Sequence, residues 1–208
     1  MKQYSTPQEE FWAGAFGDAY IERNSDAQAL ASKTALFAKI LSCVHGGDIH
    51  SCLEYGSNIG LNLIALRRLI PGIEVSAIEI NAKAAARCSE IPGAHVYNES
   101  IYEFDSDEQY DLTFVSGVLI HQDPEKLPEA YDQLYQHSRH YVLISEYYNP
   151  TPVTVTYRGN EDRLFKRDFA GEFMERFPDV HLIGYGFQYH RDSLFPADDV
   201  TWFLMEKR

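Results

Sequence analysis

The first readable pattern is Thr6-Pro7-Gln8-Glu9, a Thr with Glu three residues later and Pro at the first helical position, which is a capping box. Phe11, Trp12, Phe16 and Tyr20 then recur at helical spacing, predicting one continuous aromatic helix. A second start signal, Ser25 with Gln28, precedes apolar residues at Ala29, Leu30, Ala35, Leu36, Phe37, Ile40 and Leu41, so a second helix should end before Gly46-Gly47. From there short apolar runs alternate with amphipathic ones. Strands are predicted over 49–55, 73–80, 94–97, 110–116 and 141–146, and helices over 61–70, 82–89 and from Asp123-Pro124 to about His137. This alternation builds a mostly parallel sheet with helices on both faces. Val180 to Gln188 and Val200 to Glu206 are joined by too few residues for a crossover helix, so the chain should finish in an antiparallel pair.

Composition narrows the class. A chain of 208 residues with 45% hydrophobic side chains suits one domain spanning 1–208. Glu9 and Glu10 interrupt the N-terminus and no long apolar run follows, so neither a signal nor a membrane span is readable and the expected location is the cytoplasm. Cys43, Cys52 and Cys88 lack CxxC or Cys/His spacing and read as reduced structural thiols, with no metal site. A net charge of −13 opposes extended contact with nucleic acid or anionic membrane. Arg158, Arg163, Lys166 and Arg167 cluster against that balance within 151–168.

The chemistry collects where the first strand turns into its helix, the usual ligand crevice of a doubly wound sheet. That turn is Gly56-Ser57-Asn58-Ile59-Gly60. Gly56 and Gly60 allow close backbone approach, and Asn58 is the non-glycine residue most at ease in the left-handed region. Glu79 closes the second strand about 20 residues on, where a carboxylate accepts both ribose hydroxyls. Ile80 follows it. Ser100 and Ile101, after the third strand, are placed to grip the edge and face of an adenine. Ser116 and Val118 after the fourth strand complete the expected lining. Glu54 has two readings, as anchor of an amino group or as acceptor for the loop's own amides.

These residues resemble the class I methyltransferases that bind S-adenosylmethionine (SAM), through Leu53 to Gly60, Glu79, Asp111-Leu112-Thr113-Phe114-Val115 and Gly117-Val118-Leu119-Ile120-His121. Many members of that class carry Asp where Ser100 stands. More narrowly, residues 8–24 (Gln8-Glu9-Glu10-Phe11-Trp12 onward) and 157–169 (Tyr157-Arg158-Gly159-Asn160 onward) resemble small methylases associated with pseudaminic acid biosynthesis. The resemblance implies a Rossmann-like α/β fold with a seven-stranded sheet. It also implies SAM as cofactor with S-adenosylhomocysteine as product, and a setting in bacterial nonulosonic acid synthesis for surface glycans. The alternatives are an NAD-linked oxidoreductase, disfavoured because no second parallel half follows the fifth strand, and a non-catalytic SAM-binding partner of a glycan assembly complex.

Methyl transfer from a sulfonium needs alignment, exclusion of water and, for some nucleophiles, a base. His121 is the candidate base, with shaping of the methionine pocket as the competing reading. Tyr147, Tyr148 and Asn149 leave the fifth strand at the same sheet edge, either to orient an acceptor or as packing. Residues 151–168 are the expected acceptor insertion. There Tyr157, Arg158 and Arg163 suit a small anionic or amino sugar, unless Glu161, Asp162 and Asp168 neutralise the cations as surface pairs. Residues 1–45 read as a helical lid, with Trp12 and Tyr20 over SAM and Arg23 on its carboxylate, or as a core-packing stripe.

Overall fold

The computed structural model describes residues 4–21, 27–45 and 48–208, leaving aside the side chains at 161 and 162. Its elements are α1 (Pro7–Ala13), α2 (Ala15–Ile21), α3 (Ala27–Leu41), β1 (Ser51–Tyr55), α4 (Leu61–Leu69), β2 (Glu74–Ile78), α5 (Ala82–Cys88), β3 (His95–Tyr97) and β4 (Tyr110–Ser116). Two 3-10 turns at Leu119–His121 and Pro124–Lys126 lead into α6 (Leu127–Gln136) and β5 (Ser138–Glu146). The chain ends with β6 (Val153–Tyr157), β7 (Asn160–Lys166), α7 (Phe169–Arg176), β8 (Val180–Phe187) and β9 (Thr201–Lys207).

Seven strands form one sheet in the order β3-β2-β1-β4-β5-β9-β8. β1 pairs in parallel with both β2 and β4, whereas β9 runs antiparallel to β5 and to β8. The expected antiparallel finish and the doubly wound order are both present. Because β1 lies between β2 and β4, the crossovers leave in opposite directions and open a crevice at the carboxyl ends of these strands.

Alternate residues of each strand feed different cores, as the pleat requires. Leu53, Val115, Val142, Ile144 and Met205 face α6 and α7 and meet Leu127, Tyr131 and Phe173. Cys52, Leu112, Phe114, Leu143 and Leu204 face α3 and α4 and meet Leu36, Phe37, Ile40 and Leu66. Phe114 has no exposed surface and sets its ring edge-on to Phe37 at 5.5 Å, so truncating it to Ala should cost about 3–5 kcal/mol. Asp111 ties the opposite end of the sheet. It accepts the amides of His50 and Ser51 and pairs with Arg139 at 2.7 Å, so this family-like residue braces β1 against β4 away from the crevice.

The N-terminal helix departs from expectation. It starts with the predicted capping box but breaks at Gly14, whose backbone is extended at φ −96°, ψ −156°. α2 then folds close to α1, and a Cβ at Gly17 would lie 1.9 Å from the Trp12 carbonyl oxygen. Spacing could not register the break, because Phe11 and Phe16 still stack at 4.2 Å and Trp12 still meets Tyr20 at 5.3 Å across it. The Ser25 cap and the Gly46-Gly47 stop lie outside the described residues. The 151–168 insertion forms the hairpin β6–β7, closed by Arg158 and Gly159 at φ 50° and 81°, the positive pair of a two-residue turn.

Candidate functional site

The turn after β1 is built by its own backbone. Gly56 has φ 72°, and a Cβ there would lie 2.6 Å from Val118 Cγ2; Gly60 has φ 79°, with Ile91 Cδ1 at 2.5 Å from the same hypothetical atom. Between them Asn58 adopts φ 50°, the left-handed conformation its side chain tolerates. Asn58 N donates to Glu79 Oε2 at 2.7 Å, and Asn81 N donates to Glu79 Oε1 at 2.8 Å. The acid that closes β2 is thereby locked to the glycine turn on one side of the crevice. Burial raises the Glu79 carboxyl, against the pull of those amides. Each oxygen keeps a lone pair for a further donor.

A cavity of about 510 Å³ opens there. The predicted residues Trp12, Tyr20, Glu54, Gly56, Ser57, Asn58, Glu79, Ile80, Ser100, Ile101, Ser116, Val118 and His121 line it, while Gly60 shapes the turn without lining the cavity. Arg23 lies outside the described residues. Among the described residues, Trp12 Nε1, Glu54 Oε2 and Asn58 Oδ1 are buried without a protein partner. A polar ligand supplying donors and an acceptor satisfies groups that are costly to leave orphaned.

Glu54 is the end of a relay. Asn62 Nδ2 donates to Glu54 Oε1 at 2.5 Å, and Lys33 Nζ donates to Asn62 Oδ1 at 2.8 Å. Burial pushes the Glu54 carboxyl up to about 8, with Asn62 and Lys33 opposing. Burial also pulls the Lys33 ammonium down, against the attraction of Glu54 and Asp198. A carboxylate and an ammonium bridged by one Asn match the ammonium and carboxylate of an α-amino acid. The sequence reading passed over Lys33, and the signal that could have found it is its place: it is charged yet lies four residues after Ala29 and three before Leu36, on the inward stripe of α3.

His121 sits 5% exposed between the rings of Trp12, at 4.7 Å, and Tyr157, at 4.9 Å. Its Nδ1 is 2.5 Å from the Arg163 carbonyl oxygen, which can only accept, so the neutral ring carries its proton on Nδ1 and offers a lone pair at Nε2. Burial pulls its pKa down to about 4, against that hydrogen bond. The expectation of an imidazole titrating near neutrality is corrected, because the ring is desolvated.

The acceptor-side predictions scatter. Tyr148 is 42% exposed against Phe203, and Asn149 bonds Thr151 at 2.5 Å; neither lines the cavity. Tyr147 lies behind the wall, its hydroxyl donating to the cavity-lining Asp198, and burial raises its pKa. Tyr157 covers His121 from outside. Each of the four cations has its own partner. Arg158 lies 5.6 Å over the Tyr157 ring at the exposed hairpin tip, Arg163 5.3 Å over Phe11, and Lys166 5.1 Å over Tyr147, while Arg167 pairs with Glu172 at 2.6 Å. Asp168 caps α7 at Gly171 N instead of neutralising them, and the side chains of Glu161 and Asp162 are outside the description.

Sequence reasoning missed Glu9, Lys33, Asn62, Asn81, His190 and Asp198, all on the cavity wall. Glu9 read only as a capping acid. The 188–200 loop reaches the site because Gln28 and Ser32 on α3 donate to the carbonyls of Leu194 and Pro196, contacts more than 160 residues apart. No local pattern marks it.

The strand order, the antiparallel finish and the crevice define the class I methyltransferase fold. The chain is similar over its full length to magnesium protoporphyrin IX methyltransferase from Synechocystis PCC 6803, solved with bound SAM (TM-score 0.69, 11% identity, 100% of both chains). It is similar to 1,6-didemethyltoxoflavin-N1-methyltransferase of Burkholderia thailandensis, solved with 1,6-didemethyltoxoflavin and S-adenosylhomocysteine (TM-score 0.71, 13% identity, 100% of this chain and 92% of that one). The N-methyltransferase NodS of Bradyrhizobium japonicum WM9 matches with TM-score 0.63 and 14% identity over 88% of this chain and 98% of that one. No family model and no curated protein sequence matches the chain.

Proposed function

We propose that this chain is a SAM-dependent methyltransferase, a single domain over 1–208, acting on N or O of a small acceptor. The observation that carries the reading is the lock between Glu79 and the Asn58 amide, which aims a ribose-binding carboxylate and a close-approach glycine turn into one cavity. Glu79 holds the ribose hydroxyls, and Glu54 Oε2 and Lys33 take the amino-acid end. Ile80 and Ile101 flank the base. When bound, SAM supplies an electrophilic methyl group on a leaving group that needs no activation.

The residues then align a nucleophile and exclude water. Residues 1–45 act as a lid, with Trp12 and Tyr20 covering the cavity mouth. Neutral His121 orients an N–H or O–H of the acceptor with its Nε2 lone pair, and Asp198, held by Tyr147, receives the displaced proton. The 151–168 hairpin buttresses His121 and bounds the acceptor. The acceptor is an acidic or amino sugar of nonulosonic acid synthesis, with the cytoplasm as the setting. The amino form is favoured because Asp198, the acid of the described lining not assigned to the cofactor, faces the cavity. Among the described residues no helix is long and apolar enough to cross a membrane.

Calorimetry with SAM tests the core of the reading. Micromolar binding that collapses in Glu79→Gln supports it, and no heat with the parent chain removes it. Mass spectrometry on amino-sugar acceptors should then find a gain of one methylene. SAM affinity without turnover on the true acceptor favours a non-catalytic binder.

A further inference from the structure

The far end of the cavity, one strand beyond Glu79, is closed by a contact between segments 91 residues apart. Ser100 follows β3 with 1% of its surface exposed, and its hydroxyl donates to Glu9 Oε1. Glu9 comes from α1 and is itself only 5% exposed. Its other oxygen, Oε2, accepts the amides of Ser5 and Thr6 at 2.8 and 2.9 Å, so the side chain is clamped from behind and Oε1 is the atom left at the cavity. Ser100 Oγ also accepts the Tyr102 amide at 3.1 Å. Its one hydrogen is committed to Glu9. Burial opposes ionisation of Glu9, but the bonds from Ser100, Ser5 and Thr6 outweigh it and hold the carboxyl below the usual range.

The pair therefore offers a ligand lone pairs and no hydrogens. Ile101, 8% exposed, and Ile80 supply apolar surface beside it, suited to the faces of a planar ring. We infer that Glu9, delivered by the N-terminal helix and oriented by Ser100, reads the base of the bound nucleoside, accepting from an exocyclic amine and rejecting a ring carbonyl at the same position. The inference rests on the proposed SAM site. It makes an N-terminal carboxylate a specificity-determining group for a 6-aminopurine, and it couples ligand occupancy to docking of α1. A 6-oxopurine would set its oxygen against the Glu9–Ser100 oxygens with no hydrogen between them, leaving buried acceptors opposed.

The test compares S-adenosylhomocysteine with S-inosylhomocysteine, which replaces the 6-amino group by a carbonyl, using calorimetry on the full chain. The parent should prefer the adenosyl compound by about tenfold or more, the equivalent of one buried hydrogen bond to a charged group. Glu9→Gln, whose amide can turn an N–H toward a carbonyl, should shrink that ratio to within about threefold of unity. Thr6→Ala loosens the cap without touching Oε1 and should weaken both compounds by the same factor, keeping the ratio. Equal affinity of the parent for both compounds overturns the inference, and so does a Glu9→Gln variant that weakens both and preserves the preference. The parent ratio needs no variant to fold. If the parent binds neither compound, the methyltransferase reading falls first and this one with it.

Discussion

The turn after β1 and the β6–β7 hairpin both hang from the carboxyl edge of the sheet, but they are held by different forces. In the turn, positive φ at Gly56, Asn58 and Gly60 sets the backbone, and the Asn58 amide ties it to Glu79. The hairpin is anchored by Leu164, 4% exposed, and by the Arg163 carbonyl on His121, while Val153 and Val155 stay exposed at 40% and 38%. A preorganised turn suits a ligand of constant shape. A hairpin whose first strand stays exposed can adapt to an acceptor, at the expense of precision.

The comparison breaks most readily at Glu79. Glu79→Gln should lower SAM affinity about 100-fold, since it removes the charged acceptor proposed for the ribose hydroxyls and opposes an amide N–H to the Asn58 or Asn81 amide. Unchanged affinity by calorimetry would place the ribose elsewhere. Gly56→Ala should follow closely, costing about 2–3 kcal/mol of binding from the clash with Val118 and the positive φ. Adding Val118→Ala should recover only the steric part, and full recovery would show that φ does not matter.

Protons supply a third test. The Glu54 carboxyl is raised to about 8 and Glu146 to about 7, both chiefly by burial, so the folded chain holds more protons than the unfolded one between the ordinary carboxylate range and those values. Stability of the ligand-free chain should fall as pH rises through that window, by up to about 1.4 kcal/mol per pH unit for each group. A ligand ammonium on Glu54 favours its ionised form, so SAM binding near pH 7 should release protons and tighten toward pH 8. Calorimetry in buffers of different ionisation enthalpy measures this directly; no proton release would take Glu54 out of the amino-acid end.

Smaller effects belong to the acceptor side. With His121 down near 4, the pH–rate profile should show no histidine limb between about 5.5 and 8, and an inflection near 6.5 that vanishes in His121→Gln would restore it as a base. Arg158→Ala, at the hairpin tip, should change acceptor KM by less than about threefold. A tenfold rise would mean that the hairpin closes over the acceptor during turnover.

The same division governs how much was legible beforehand. The succession of strands and helices and the glycine turn could be read because alternation and φ preference act over a few residues, whereas the order of the strands in the sheet is set by tertiary pairing. The helix break at Gly14 escaped because helical spacing of aromatics survives a reversal that keeps them clustered. The four cations at 158–167 cluster in sequence, but which ring or acid each one meets depends on alternation along β7 and on the turn at Arg158. Glu146 gave no local sign of its role. Its carboxylate accepts the amides of Val118 and Leu119, both at 2.9 Å, and shapes the loop after β4 from the next strand.

By itself, the sequence determined the layers, the antiparallel end of the sheet, the tight turn and the acid beside it, all consequences of short-range sterics and of a hydrophobic period that each segment carries alone. Only the tertiary structure decided that Glu9 meets Ser100, that Lys33 reaches Glu54 through Asn62, and that His121 is too desolvated to titrate near neutrality. Those outcomes depend on which distant groups share a dry space. Dielectric and hydrogen-bond partners are properties of that space, and no single segment encodes them.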